Sequence, residues 1–181
     1  MPDARGWDRR IVGRALMIPP FLEARWTALR EGQQGVSLYA LVDGIQYEQE
    51  TGSRIEPDEG PVISLFKGTV DEGLAHAGPW LVDMHASAAC ADRLVDLEQK
   101  RPSIVWLFAL SDTATLATLL RERLSVRLPD GKEALLRFWD PRALDAICRS
   151  MRAETRFNFF NVALEWHYLL SGQRFHINPH A

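Results

Sequence analysis

Cysteine is nearly absent from this chain, with only Cys90 and Cys148 in 181 residues. The two stand far apart and lack Cys-x-x-Cys spacing, so neither a disulfide framework nor a zinc cluster is expected. Both read as small apolar side chains. Positive charge is also short. A formal net charge of -3 and a pI near 6.0 offer no broad cationic field to a phosphate backbone, and nucleic acid is not an expected partner. The longest apolar run, Ile104 to Leu110, falls far short of the roughly 20 residues that cross a bilayer, so no membrane span is expected. Arg14 interrupts the one early apolar stretch, and no small-residue cleavage site follows, which makes the cytoplasm the expected compartment. Residues 1–17, with Arg5, Arg9, Arg10 and Arg14, read as a basic tail ahead of a single domain over 18–181.

The spacings of common catalytic sites are missing as well. There is no Gly-rich phosphate loop, no Gly-x-Ser-x-Gly elbow and no His-Glu-x-x-His pair. His176 and His180 stand four apart, but Pro179 between them opposes a helical ligand pair. Asp83 and His85 share a strand face without a nucleophile beside them, which favours a structural pair. No metal, cofactor or catalytic residue is expected.

What the chain does have is a core. With 46% hydrophobic and 25% charged residues, it carries no disorder signature and should fold as a globule. Ile18-Pro19-Pro20 opens a helix on which Leu22, Trp26 and Leu29 share a face up to Gly32. Val36 to Val42 reads as a buried strand that exits at Asp43-Gly44, and Glu48 to Glu59 as a surface loop. Thr69 is placed to cap a short helix ending before Gly78-Pro79, and Trp80 to Met84 resumes as a strand. A helix over about 86–100, the apolar strand Ile104 to Ala109, and a helix capped by Ser111 or Asp112 follow. Val126 and Leu128, Pro129-Asp130-Gly131, and Ala134 to Trp139 spell a β-hairpin. The aromatic tail, with Phe157, Phe159, Phe160, Trp166 and Tyr168, suggests a second hairpin turning at Ser171-Gly172. The expected fold is α/β: a mixed β-sheet flanked by helices, with one or two β-hairpins and an open strand order.

One segment concentrates the chemistry. Leu135 to Trp139 has a strand pattern that Asp140-Pro141 cuts off, and Leu144, Ile147, Cys148 and Met151 continue at helical spacing. Asp140 suits the N-cap, since its carboxylate can accept from the free amides of the first turn. Pro141 suits the first helical position, where its missing N–H costs nothing. Strand alternation places Arg137 beside Leu135 and Trp139, which predicts partial burial and a need for a carboxylate, with Asp43 and Asp140 as candidates.

Three blocks together resemble a known family. Leu38-Tyr39-Ala40-Leu41-Val42-Asp43-Gly44 is similar to its first strand. Ser64-Leu65-Phe66-Lys67-Gly68-Thr69 with Gly78-Pro79-Trp80-Leu81-Val82 is similar to its second block, and Arg137-Phe138-Trp139-Asp140-Pro141-Arg142 to its signature. The family is the domain of unknown function 4123, whose members act as chaperones or adaptors for bacterial type VI secretion effectors. The resemblance spans about residues 36–168.

It implies an adaptor that binds a newly made effector and helps load it onto the spike protein, without catalysing a reaction. Asp43, Pro79, Arg137, Asp140 and Pro141 would then be structural motif residues. Trp166, Tyr168, Phe175 and Arg142 are the candidate partner contacts, although a terminal aromatic cluster also serves as core. Members of the family commonly continue into a second, helical lobe beyond the matching region, so a homodimer or a smaller interface is expected to compensate here. Two other classes stay open: an enzyme of unrecognised type with a ligand site at strand ends near Arg137 and Asp43, and a general protein-interaction module.

Overall fold

Uninterrupted burial along two strands dictates the architecture. Over Ser37–Asp43 (β1) every residue after the first is buried, and over Ile104–Ala109 (β4) every residue is. A strand buried on both faces needs a layer of cover on each side. The computed structural model, which describes residues 18–57 and 60–180, supplies both layers. The basic tail of residues 1–17 lies outside the described residues.

In chain order, helix α1 (Pro20–Gly32) leads into β1 and helix α2 (Gly44–Thr51). Strand β2 (Val62–Ser64) and a 3-10 helix (Glu72–Ala77) precede β3 (Pro79–Asp83). A 3-10 turn (Ala88–Cys90) and α3 (Ala91–Lys100) lead to β4, and α4 (Thr113–Arg121) follows it. Next come a ribbon of β5 (Ser125–Arg127) and β6 (Glu133–Leu135), then helices α5 (Pro141–Ser150) and α6 (Ala153–Phe160). The hairpin β7 (Glu165–Leu170) and β8 (Gln173–Ile177) completes the sheet.

The main sheet runs β2-β3-β1-β4-β7-β8, with antiparallel neighbours throughout, and the ribbon stands apart from it. The fold is thus α/β with helices on both faces; the crossovers through α2 and α3 join strands of the same direction two places apart, and an antiparallel strand lies between them in each case. One face, with Tyr39, Leu41, Leu107 and Trp166, is covered by α4, α5 and Phe160 of α6. The other, with Leu38, Ala40, Trp106 and Phe108, is covered by α1, α2 and α3 through Leu22, Tyr47, Leu94 and Leu97.

Four local expectations change. Residues 44–51 form α2, because the buried Asp43 accepts from the amides of Ile45 and Gln46 and so starts a helix in polar sequence. The second arm of the ribbon ends at Leu135, and Arg137 leaves it on a turn in which the Asp140 amide donates to the Arg137 carbonyl at 3.1 Å. Strand alternation therefore does not apply to Arg137, whose side chain is 48% exposed. Phe157, Phe159 and Phe160 lie on α6, ahead of the second hairpin. Thr69 does not cap the short helix: its hydroxyl accepts from the Asp71 amide in the turn before it.

Candidate functional site: a charged corner assembled from distant motifs

The three motif blocks meet at one corner. Register places Asp43 opposite Pro79, at the ends of β1 and β3. There the Gly44 amide donates to the Gly78 carbonyl at 2.9 Å. A Cβ on Gly44 would sit 2.3 Å from the His76 carbonyl oxygen, and one on Gly78 would sit 2.4 Å from the Phe66 ring, so both positions exclude a side chain. Phe66 meets Trp139 edge to face, with centroids 5.7 Å apart, which brings the 137–142 block onto the same spot.

Two carboxylates at this corner start two helices. Asp43 Oδ1 accepts from the amides of Ile45 at 3.0 Å and Gln46 at 3.1 Å, while Asp140 Oδ1 accepts from the Arg142 amide at 3.0 Å. Each cap is worth about 1 kcal/mol. Arg137 Nη2 bridges them, 3.5 Å from an oxygen of each. Arg142 folds back onto Asp140 in a two-pronged pair, at 2.9 and 2.8 Å. Pro141 occupies the first turn of α5, as its sequence position implies.

Burial pushes the Asp43 carboxyl above the usual aspartate range. The Gln46 amide and the Arg137 guanidinium pull against it, and the neighbouring Asp140 charge adds to it. The hydrogen bond from Arg142 to Asp140 holds that guanidinium above its ordinary value. Asp83 and His85 form no side-chain pair: Asp83 Oδ1 accepts from the amides of His85 and Ala86, and Oδ2 from the Thr113 hydroxyl. Among the described residues, no three His, Cys, Asp or Glu side chains group as metal ligands would. No described helix is long and apolar enough to cross a membrane.

The aromatic residues nominated as partner contacts lie elsewhere. Trp166 is fully buried, and its indole N–H donates to the Phe160 carbonyl at 2.9 Å. Tyr168 is also buried; its hydroxyl donates to Asp145, and its ring stacks on half-buried Phe175 at 5.6 Å. The structure thus places Trp166 and Tyr168 in the core, because alternation turns them toward α5 and α6. Of the nominated group, Arg142 is well exposed, at 56% of its side chain.

A second charged cluster went unread in the sequence. Beneath α1, Glu165 of β7 receives Arg25 Nε at 3.0 Å on Oε1 and 2.9 Å on Oε2, and His167 Nε2 lies 2.9 Å from the same Oε2. Nearby, buried Glu98 of α3 accepts from the Trp106 indole N–H at 2.9 Å and is clasped by Arg174 of β8. One signal was available: Glu98 interrupts the buried stripe of Leu94 and Leu97 on α3.

The surface beyond the corner is apolar in places. The ribbon exposes Val126, Leu128 and Leu135, each at about two-fifths of its area. Arg123 ties the ribbon's base to the end of α6, donating to the carbonyls of Phe159 at 2.7 Å and Asn158 at 3.0 Å.

Comparison with known proteins agrees with the motif geometry. No curated protein and no solved structure matches the chain. The family model described as Domain of unknown function (DUF4123) matches residues 38–157, a span that holds all three blocks converging on the corner. This chain belongs to the DUF4123 family.

Proposed function

We propose that this chain is an adaptor, or chaperone, that binds a newly made type VI secretion effector in the cytoplasm and helps load it onto the spike protein, without catalysing a reaction. The observation that carries this reading is the ribbon, a two-stranded sheet outside the main sheet with three large apolar side chains open to solvent. An isolated two-stranded ribbon is marginal in water, and exposed apolar side chains on such an element suit a polypeptide partner. The family resemblance supports the same class of function. Against a ligand site at the strand ends stands the occupancy of both carboxylates: Asp43 and Asp140 accept helix amides and face Arg137.

Co-expression with the product of the adjacent reading frame tests the proposal. Raised solubility of that product and a complex that survives gel filtration are expected. A product equally soluble alone, with no complex, overturns it. Neighbouring spike-like and toxin-like genes separate this adaptor from a general interaction module.

A further inference from the structure

Arg123 donates to backbone carbonyls and has Glu122 only at 4.0 Å, while two other arginines with reduced exposure meet carboxylates: Arg101 meets Glu50, and Arg174 meets Glu98. Arg121, at the end of α4, does not. Its Nε and Nη2 donate to the carbonyls of Leu65 at 3.2 Å and Ser64 at 3.0 Å, and among the described residues no carboxylate stands within salt-bridge distance. Burial acts on this guanidinium and lowers its proton affinity, and among the described residues no anion offsets the cost. A cation removed from water without a counter-charge is an unfilled requirement.

Arg121 lines a groove of about 880 Å³ beside β2. Ile63 and Ala75 give it apolar surface, exposed Lys67 adds a second positive charge, and Glu72 is the one acid among the described lining residues. Glu72 is already engaged, accepting from the Gly68 amide at 3.3 Å. Trp80 completes the wall, and its buried indole N–H finds no acceptor among the described residues. The groove adjoins the proposed partner surface in the chain, because Arg121 closes α4 just ahead of β5.

We propose that this groove receives a segment of the partner polypeptide in which an aspartate or glutamate side chain stands next to apolar residues. The acid meets Arg121 and Lys67, and its neighbours cover Ile63 and Ala75. This deepens the adaptor reading by naming the chemistry of the cargo segment, and it rests on that reading only for the identity of the partner.

Two arms keep the two claims separable. The first uses a capped hexapeptide alternating leucine and glutamate against its leucine–glutamine counterpart, titrated into the full chain by calorimetry. The glutamate peptide is expected to bind at least tenfold tighter, and Lys67→Glu to remove that preference. Lys67 makes no side-chain bond among the described residues, so this variant retains the fold; Arg121→Gln, checked by thermal melting, is expected to act in the same direction. The second arm repeats the cargo co-purification with Lys67→Glu, where the complex is expected to weaken at least tenfold. Equal binding of both peptides, or a cargo complex indifferent to Lys67→Glu, overturns the groove proposal and leaves the adaptor reading standing. A wild-type chain that binds the glutamate peptide but no adjacent-frame product upholds the groove and removes the adaptor reading. Binding only to a free C-terminal carboxylate, or only to a second copy of the chain, also overturns the proposal.

Discussion

Two clusters of arginines and buried carboxylates sit in this molecule, and they solve the burial of charge differently. At the motif corner, Asp43 and Asp140 cap helices first, and the arginines approach from solvent; Arg137 stays 3.5 Å away and half exposed. Beneath α1, Glu98 and Glu165 cap nothing and depend on arginines from distant elements. Backbone amides are supplied by a short stretch of sequence, whereas guanidinium partners across a sheet are supplied by the whole fold. Losing an arginine should therefore cost little at the corner and much beneath α1.

The largest expected effect tests that contrast. Arg174→Met leaves Glu98 buried with the Trp106 indole N–H as its remaining side-chain donor among the described residues. It should cost about 3 kcal/mol, a fall in Tm of roughly 6–12 °C. Next, Asp140→Ala removes the α5 cap and the acceptor for Arg142 together, a loss of about 1–2 kcal/mol in denaturant titration. Arg137→Met should cost no more than about 1 kcal/mol and leave the chain soluble; a loss equal to that of Arg174→Met would erase the distinction.

Acid sharpens the comparison because the clusters respond with opposite sign. Burial drives Asp43 upward, so its ionised form is the disfavoured one in the folded state, and stability from this group rises as pH falls through its folded pKa. Burial also works to raise Glu165, but the hydrogen bonds from Arg25 and His167 outweigh it and hold it below the usual range. Its contribution is present above the unfolded glutamate pKa and is lost as pH falls through the lower folded value. Burial, outweighing the pull of Glu165, lowers His167, so the unfolded chain takes up that proton first and stability declines as pH drops below about 6.5. Carboxyl NMR titration should place Asp43 above and Glu165 below their ordinary values, and His167→Gln should flatten the decline between about pH 6.5 and the folded His167 pKa.

Legibility in the sequence followed the same division. The caps at Asp140 and Asp112 were readable because a capping carboxylate and its amides lie within a few residues. The two partners of Arg137 were nameable because both sit at element ends. The turn at Ser171-Gly172 was likewise local. Helix α2 was hidden because its residues are mostly polar and its start depends on the burial of Asp43. Helix α6 was hidden because Phe157, Phe159 and Phe160 favour strands in isolation, while packing against Trp166 and Phe138 decides for a helix. Trp166 and Tyr168 looked available to a partner for want of any signal for the cover that α5 and α6 provide. The cluster under α1 joins Arg25 to Glu165, 140 residues apart, and no local pattern encodes that.

Under the proposed adaptor function, the motif corner braces the fold while other surfaces bind a polypeptide. Calorimetric titration of co-expressed, purified cargo into Arg137→Met, with thermal melting in parallel, tests this most directly. A folded variant that binds the adjacent-frame product within about twofold of wild type is expected, since Arg137 bridges Asp43 and Asp140 at the corner. A variant that melts as wild type does but no longer binds cargo would contradict it.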